Sequence, residues 1–417
     1  MKAIKTATKF LSRPQVWMIL FLCFYVVCGF YTELKLIIIK PLPSALMQDF
    51  KIYEQAFSSM IHGGDPYRIL NIGHGYLYPP SALFIVAVFS GIRSLPLQVS
   101  LYSTLNVILL VLMVYGVAKH YDYSNAQVGF WYVICLGFAP FLELLTIGQI
   151  NVITLFGIFM LFLWADSLPI LGGSGLALAT LTKVSPALFF VYLFANKRWK
   201  TMAAAIAVII LITGLSILCF GLDPVLKYPS VFQWLTNQFP LGTNSQSLAA
   251  RLAGLQSVVA SLPENLRFQS PVLDFFATNY PLVQHILTIY IAVVVLVSNA
   301  LLLFGKQAKE PAFIITTLGM MLSPNVMWYH HYVFMLLPLL IWMGWSRLDG
   351  RVIAWCLAGL LVAQMDRWFL PYGLLIHVFG HLSILMLLFH QVREFIRSRN
   401  RKAYLVKTGL EDPAPLV

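Results

Sequence analysis

The sequence predicts an all-α polytopic membrane protein, and three observations carry that prediction. Of 417 residues, 59% are hydrophobic and only 11% are charged, under half the roughly 25% charge of a soluble domain. The mean hydropathy is +0.79. The apolar residues also fall in long runs rather than in the short alternating segments of a membrane β-barrel. A transmembrane helix takes about 20 residues, so a chain of this length with short connections holds roughly a dozen. A soluble enzyme with a single anchor is excluded.

The formal charge of +12 does not point to nucleic acid, because the excess lies at the ends. Lys2, Lys5, Lys9 and Arg13 precede the first apolar run; Arg393, Arg397, Arg399, Arg401, Lys402 and Lys407 follow the last. Basic flanks of this kind mark cytoplasmic termini beside anionic lipid. Both termini are therefore expected in the cytoplasm, and the number of spans is expected to be even. Cys23, Cys28, Cys135, Cys219 and Cys356 all sit in apolar runs without metal-like spacing, so they read as small core residues and imply no disulfide framework.

The first run, 15–32, lacks a small-residue cleavage site before Glu33 and reads as a retained helix. The others fall near 97–118, 127–147, 150–165, 171–195, 201–220, 281–304, 311–323, 329–345, 351–365 and 370–390. Lys197-Arg198-Trp199-Lys200, Lys306 with Lys309, and Arg347 with Arg351 mark three further cytoplasmic loops. The less apolar segments 33–78 and 221–280 then fall on the outer face. The run 171–195 carries Lys183, Ser185 and Pro186 at its middle. Proline removes a backbone donor and lysine is costly in lipid, so this run is expected to break into two short helices at a polar turn. The stretch 79–91 follows a Pro-Pro pair and is short for a span; it is expected to lie flat, which extends the first outer loop to 33–96. Twelve helices result, with Gly148-Gln149-Ile150-Asn151 outside. Counting 79–91 as a span and 171–195 as one helix also gives twelve and puts that turn inside; the charge rule does not separate the two. Residues 1–405 read as one polytopic domain with outer loops 33–96 and 221–280, and 406–417, with Pro413 and Pro415, as a disordered cytoplasmic tail.

Polar residues in this setting are candidates for function because their burial is expensive. Asp49 opens a potential short helix with Tyr53 one turn later, a position where Asp also serves simply as a cap. Gly63-Gly64-Asp65-Pro66-Tyr67-Arg68 and Tyr76-Leu77-Tyr78-Pro79-Pro80 make a tightly turned, ordered loop. Glu143, Gln149, Asn151 and Lys183 stand where apolar helices end; the two amides suit the capping of a short turn equally well. His330 and His331 follow Ser323-Pro324-Asn325-Val326-Met327-Trp328. Adjacent histidines on a helix diverge by about 100°, which suits hydrogen bonding to phosphate or sugar better than metal ligation. His377 and His381 have ligand-like spacing without an accompanying Glu and read as packing residues. In Thr243-Asn244-Ser245-Gln246-Ser247-Leu248-Ala249-Ala250-Arg251 a capped amphipathic helix carries Arg251, a bidentate phosphate donor. No P-loop, Rossmann glycine pattern or Cys-x-x-Cys pair occurs, so a soluble nucleotide-sugar domain is absent, and no cofactor or metal is expected.

The ordered set Asp49-Phe50 with Tyr53, Gly64-Asp65-Pro66-Tyr67, Tyr78-Pro79-Pro80, Gly148-Gln149 with Asn151, Lys183 with Pro186, and Ser323-Pro324 through Trp328, His330 and His331 resembles glycosyltransferase family 87. That family lies in the GT-C superfamily of polyprenyl-phosphate-sugar-dependent enzymes. One departure is that the loop resembling Asn-Gln-Ser in relatives reads Asn244-Ser245-Gln246-Ser247 in this chain. The resemblance implies a GT-C-type bundle and inverting transfer of a hexose, expected to be mannose, from a polyprenyl phosphate to a hydroxyl of a glycolipid or envelope glycan. Asp49 would be the base. Lys183, Arg251, His330 and His331 would stabilise the leaving phosphate. Tyr53, Tyr67, Arg68, Tyr78, Gln149, Asn151, Asn244 and Gln246 would shape the substrate site. It places the site on the outer face of the plasma (inner) membrane and favours the topology with Gln149 and Lys183 outside. The partners implied are the donor, the acceptor and the bilayer, with no nucleic acid. The rival readings are a transporter or flippase of a lipid-linked saccharide, with broken helices near the midplane and two similar halves, and a noncatalytic lipid-binding subunit.

Overall fold

The computed structural model describes residues 14–39, 46–67, 75–237, 247–305, 308–366 and 373–408. Among these residues every regular element is helical: α1 (Pro14–Ile39), α2 (Gln48–Ile61), α3 (Leu83–Ser90), α4 (Leu95–His120), α5 (Asn125–Leu136), α6 (Ala139–Ile147), α7 (Asn151–Trp164), α8 (Pro169–Thr182), α9 (Phe189–Ala195), α10 (Trp199–Phe220), α11 (Asp223–Thr236), α12 (Leu248–Ala260), α13 (Pro271–Phe304), α14 (Glu310–Leu322), α15 (Leu336–Trp345), α16 (Gly350–Met365) and α17 (Leu374–Thr408). Short 3₁₀ turns precede α3, α9 and α15. Each apolar run of the sequence is helical where it is described, apart from the breaks at 137–138 and 183–184. Only α4, α10, α13 and α17, among the described residues, are long and apolar enough to cross a bilayer alone; α5 and α6, bent by 52°, make a fifth crossing if taken as one. Helix α17 continues to Thr408, past the expected start of the tail at 406; residues 409–417 lie outside the described residues.

The long helices show what surrounds them. Ile206, Ile210, Leu211 and Leu218 on α10, and Leu282, Ile286, Ile289, Val293 and Leu296 on α13, are all exposed. Such apolar stripes at helical spacing are stable only against lipid, and the chain is a multi-pass membrane protein. The centre is different. Every residue of α14 from Pro311 to Leu322 is buried, as are the turn Tyr329–Met335 and α15 from Leu336 to Gly344. A helix of 13 residues reaches about 20 Å, against a hydrocarbon core of about 30 Å. Irregular backbone follows the short helices at 183–184 and 323–328, and within a membrane such backbone is tolerable only where it lines a cavity or is buried in protein.

The expected break in 171–195 is present. Helix α8 ends at Thr182, Lys183 is extended (φ −156°, ψ 131°), and a 3₁₀ turn containing Pro186 leads into α9. Run 127–147, read as one helix, is instead bent where Pro140 follows Gly137 and Phe138. The amide groups freed by that bend are taken up by one side chain. Gln364 on α16 accepts from the Ala139 N–H at 2.7 Å and donates to the carbonyls of Gly137 at 2.8 Å and Tyr25 at 2.7 Å. Replacing Gln364 with Leu strands these groups in the interior. At 1–3 kcal/mol each, a loss of about 3 kcal/mol is expected, read as a lower melting temperature in detergent.

At one end of the bundle Asp166 pairs with Arg198 and with Lys309, joining two of the basic loops. The pairs are half exposed and worth little energetically, but they put those loops at the same end.

Candidate active site

Helix α2 buries Phe50, Tyr53, Ala56 and Met60, one face of an amphipathic helix. It is seated on the α6–α7 turn. The Met47 N–H donates to the Thr146 carbonyl at 2.8 Å, and Met47 caps the helix in a left-handed conformation. Gly148 in that turn has φ +75°, and an added Cβ would lie 2.7 Å from the Phe50 Cβ and 2.9 Å from the Met47 Sδ. Only glycine fits both the backbone angle and the contact. Gly148→Ala is therefore expected to push the start of α2 off the turn and reduce turnover about tenfold to a hundredfold, since displacements of about 1 Å at a reacting centre have effects of this size. Turnover checks it, measured beside the melting temperature, which the strain of a Cβ at positive φ is expected to lower.

This seating brings Asp49 against Gln149, the hub of the site. Its Nε2 donates to Asp49 Oδ2. Its Oε1 accepts from the Tyr53 hydroxyl at 3.0 Å and the Tyr78 hydroxyl at 3.2 Å, and its carbonyl accepts from the Tyr102 hydroxyl at 2.9 Å. Burial, and then the negative charge of Asp49, push the Tyr78 phenol up to about 12, so it remains a donor at neutral pH. Tyr67 stands one layer behind, its hydroxyl donating to the Tyr78 carbonyl at 3.0 Å and its ring stacked on Tyr76.

Across the space from this group, Lys183 Nζ lies 2.9 Å from His331 Nε2 and 3.4 Å from Asn151 Oδ1, and over the Phe334 ring. His330 is stacked on Trp328, with its Nδ1 4.0 Å from Glu143 Oε1. Asp49, Tyr53, Tyr78, Glu143, Gln149, Lys183, His330 and His331 all line one cavity of about 740 Å³. The volume suits a sugar with part of its carrier.

The structure thus unites most of the residues singled out in the sequence. Asn151 enters through its bond to Lys183, and Tyr67 through Tyr78. Arg251 is buried on α12 and is not among the residues lining the cavity. Arg68, Asn244 and Gln246 lie outside the described residues. Sequence reasoning did not find Tyr102, or Gln284, His285 and Thr288, which bring α13 to the cavity wall. A polar residue inside an apolar run was the available signal.

Chemically, the cavity holds a carboxylate on one wall and a lysine between hydrogen-bonding partners on another. That combination suits removal of a hydroxyl proton at one place and stabilisation of an anion at the other. The chain is 24% identical over 373 residues to the polyprenol-phosphate-mannose-dependent alpha-(1-2)-phosphatidylinositol pentamannoside mannosyltransferase of Mycobacterium tuberculosis, covering 81% of this chain and 80% of that protein. The family model of glycosyltransferase family 87 matches residues 76–330, more than half of the sequence. That stretch takes in Tyr78, Gln149, Lys183 and His330 and begins downstream of Asp49. The chain belongs to glycosyltransferase family 87.

Proposed function

We propose that the chain moves a mannosyl group from a polyprenyl phosphate to a hydroxyl of a lipid-linked or envelope glycan, with inversion at the anomeric carbon. The observation that carries this reading is that Asp49 and Lys183 stand on the walls of one cavity, although distant in sequence. Asp49 takes the acceptor proton as the acceptor oxygen attacks the anomeric carbon. The bond from that carbon to the phosphate oxygen breaks, and the electron pair leaves with the polyprenyl phosphate. Lys183, with His331 beside it and His330 next in line, meets the charge that grows on that phosphate, and no general acid is needed. Gln149 orients the Asp49 carboxylate through its side-chain amide, while Tyr53 and Tyr78 hold Gln149. Arg251, Arg68, Asn244 and Gln246 are kept as residues of the wider substrate site.

The same reading makes 1–405 a single catalytic domain of about 12 transmembrane helices, with outer loops 33–96 and 221–280 and a cytoplasmic tail from 406. The basic loops tied by Asp166 and both termini face the cytoplasm, and the cavity opens on the outer face of the plasma membrane. The relative's name supports a mannosyl donor and a glycolipid acceptor. A transporter is disfavoured by the absence of two similar halves in the sequence and by the family itself.

The test is transfer by the purified protein from polyprenyl-phosphate mannose to a glycolipid extract, with the product's anomeric configuration read by NMR. The opposite anomer to the donor's is expected. Retained configuration would overturn the single displacement, and no product would overturn the reading as a whole.

A further inference from the structure

Helix α13 changes direction at Asn279, whose angles are not helical, just before Pro281. From there its lipid-facing stripe of Leu282, Ile286, Ile289, Val293 and Leu296 begins. Beside the stripe, one and two turns past the proline, stand Gln284, His285 and Thr288, all lining the 740 Å³ cavity. His285 and Thr288 are exposed, and Gln284 is buried at 3%. Polar side chains at the edge of a lipid-facing stripe are costly unless they meet a polar group there; the Thr288 hydroxyl meets the carbonyls of Gln284 at 2.9 Å and Ser323 at 3.1 Å, which leaves one oxygen of Gln284 to account for.

The amide of Gln284 is fixed in orientation. Its Nε2 donates to the Ser323 carbonyl at 3.1 Å and to Thr288 Oγ1 at 3.3 Å. The carbonyl can only accept, so the nitrogen must face it. Both amide hydrogens are thereby committed, and the buried Oε1 has no hydrogen-bond partner. A side-chain oxygen held in this way is an acceptor for a hydroxyl. Helix α13 contributes no lysine, arginine or carboxylate to the cavity wall, which argues against a phosphate there. The lysine of the cavity lies instead beside His331 and Asn151. Thr288 lies seven residues, about 10 Å, past Pro281. The other end of α13 runs toward Lys309, which pairs with Asp166. The polar notch therefore lies within about the first two turns of the apolar stripe, at the end of the stripe away from that pair.

We infer that the Gln284–His285–Thr288 face of α13, backed by the Ser323 carbonyl, binds the sugar hydroxyls of a lipid-linked glycan acceptor that enters the cavity sideways from the bilayer. The acceptor's hydrocarbon chains stay in the lipid along the apolar stripe while its neutral headgroup crosses the notch toward Asp49. This rests on the glycosyl-transfer reading above and adds to it which wall takes the acceptor and by what route.

The experiment titrates each substrate separately. The donor is polyprenyl-phosphate mannose; the acceptor is the glycolipid fraction extracted from membranes of the cells that make the protein, quantified as hexose. Thr288→Val and Gln284→Leu are each expected to raise the acceptor KM about tenfold, with the donor KM changed less than about twofold. Thr288→Ser is expected to restore the acceptor KM. Thr288 is on the surface, so its variants carry the test if Gln284→Leu does not fold. A parallel rise in donor KM, or an unmoved acceptor KM in the Thr288 variant, overturns the inference while leaving transfer by the unaltered chain intact. Failure of the unaltered chain to transfer at all would remove the underlying reading and the inference with it.

Discussion

Replacing Asp49 with Asn is expected to lower transfer by at least about 100-fold while the protein inserts and folds normally, the loss of a positioned base being worth 10²–10⁴. Asn has nearly the same size and serves as well at a helix start, so the neighbours of α2 need not move. What is lost is basicity: an amide cannot accept the acceptor's proton. The partner also matters, because Gln149 Nε2 donates to the carboxylate and would meet an amide that can rotate its oxygen into the same place. The change therefore isolates chemistry from structure. Turnover with saturating substrates, next to detergent melting and reporter-tagged membrane yield, reads it. Near-normal turnover in Asp49→Asn would hand the base role to Glu143, the other carboxylate lining the cavity.

Replacing Lys183 with Met is expected to have a comparable effect, about 100-fold on kcat, by a different route. The side chain keeps most of its length and its apolar character but loses the charge that lies over Phe334 and next to His331. Removing one well-placed donor to a developing anion costs about 10²–10³ in rate. Stability should hold or rise, because the lysine is half-buried and a cation in a membrane interior is held at a cost. A matched loss of kcat and of melting temperature would mean that Lys183 supports the fold rather than the reaction. Arginine is expected to restore little, since its planar fork does not fit a place built for one ammonium between an imidazole and an amide.

Lys183 stood out in the sequence because it violates the composition around it, whereas Asp49, in the less apolar segment 33–78, was singled out by the resemblance to the family. Lys183 stands inside an apolar run with Pro186, and both the helix break and the lysine follow from the cost of a charge and a missing backbone donor. The bend between α5 and α6 was not legible. Pro140 sits in the first turn of α6, where proline is well tolerated, and the run around it is apolar apart from Gln127, Glu143 and Thr146. What fixes the bend is Gln364, over 220 residues away, and no local pattern announces a partner at that distance. Gln149 is a similar case. Its residue type and position suit the capping of a turn equally well. Its place at the centre of Asp49, Tyr53, Tyr78 and Tyr102 depends on α2, the loop before α3, and α4 folding onto one spot. Arg251 shows the reverse, since the charge and the capped helix were readable while its place away from the cavity lining was decided by packing.

Helix length marks the other limit. The apolar runs revealed which segments become helices, but the short central ones are buried on all sides. Hydropathy cannot distinguish a helix that meets lipid from one that meets only protein. The half-crossing of α14 and the irregular backbone after it are what open the cavity, and they become visible only once the neighbours are in place.

The mechanism requires a lipid monophosphate as the donor, and one measurement addresses that directly. The cavity offers one lysine and two histidines to the leaving group, and among the described residues there is no cluster of carboxylates and histidines of the kind that holds a metal on a nucleoside diphosphate. Purified protein is given a glycolipid acceptor with radiolabelled polyprenyl-phosphate mannose in one reaction and radiolabelled GDP-mannose, free of any polyprenol carrier, in another. Label is expected in the glycolipid from the polyprenyl donor and not from the nucleotide. Transfer from GDP-mannose alone would contradict the mechanism and the roles of Asp49 and Lys183 in it.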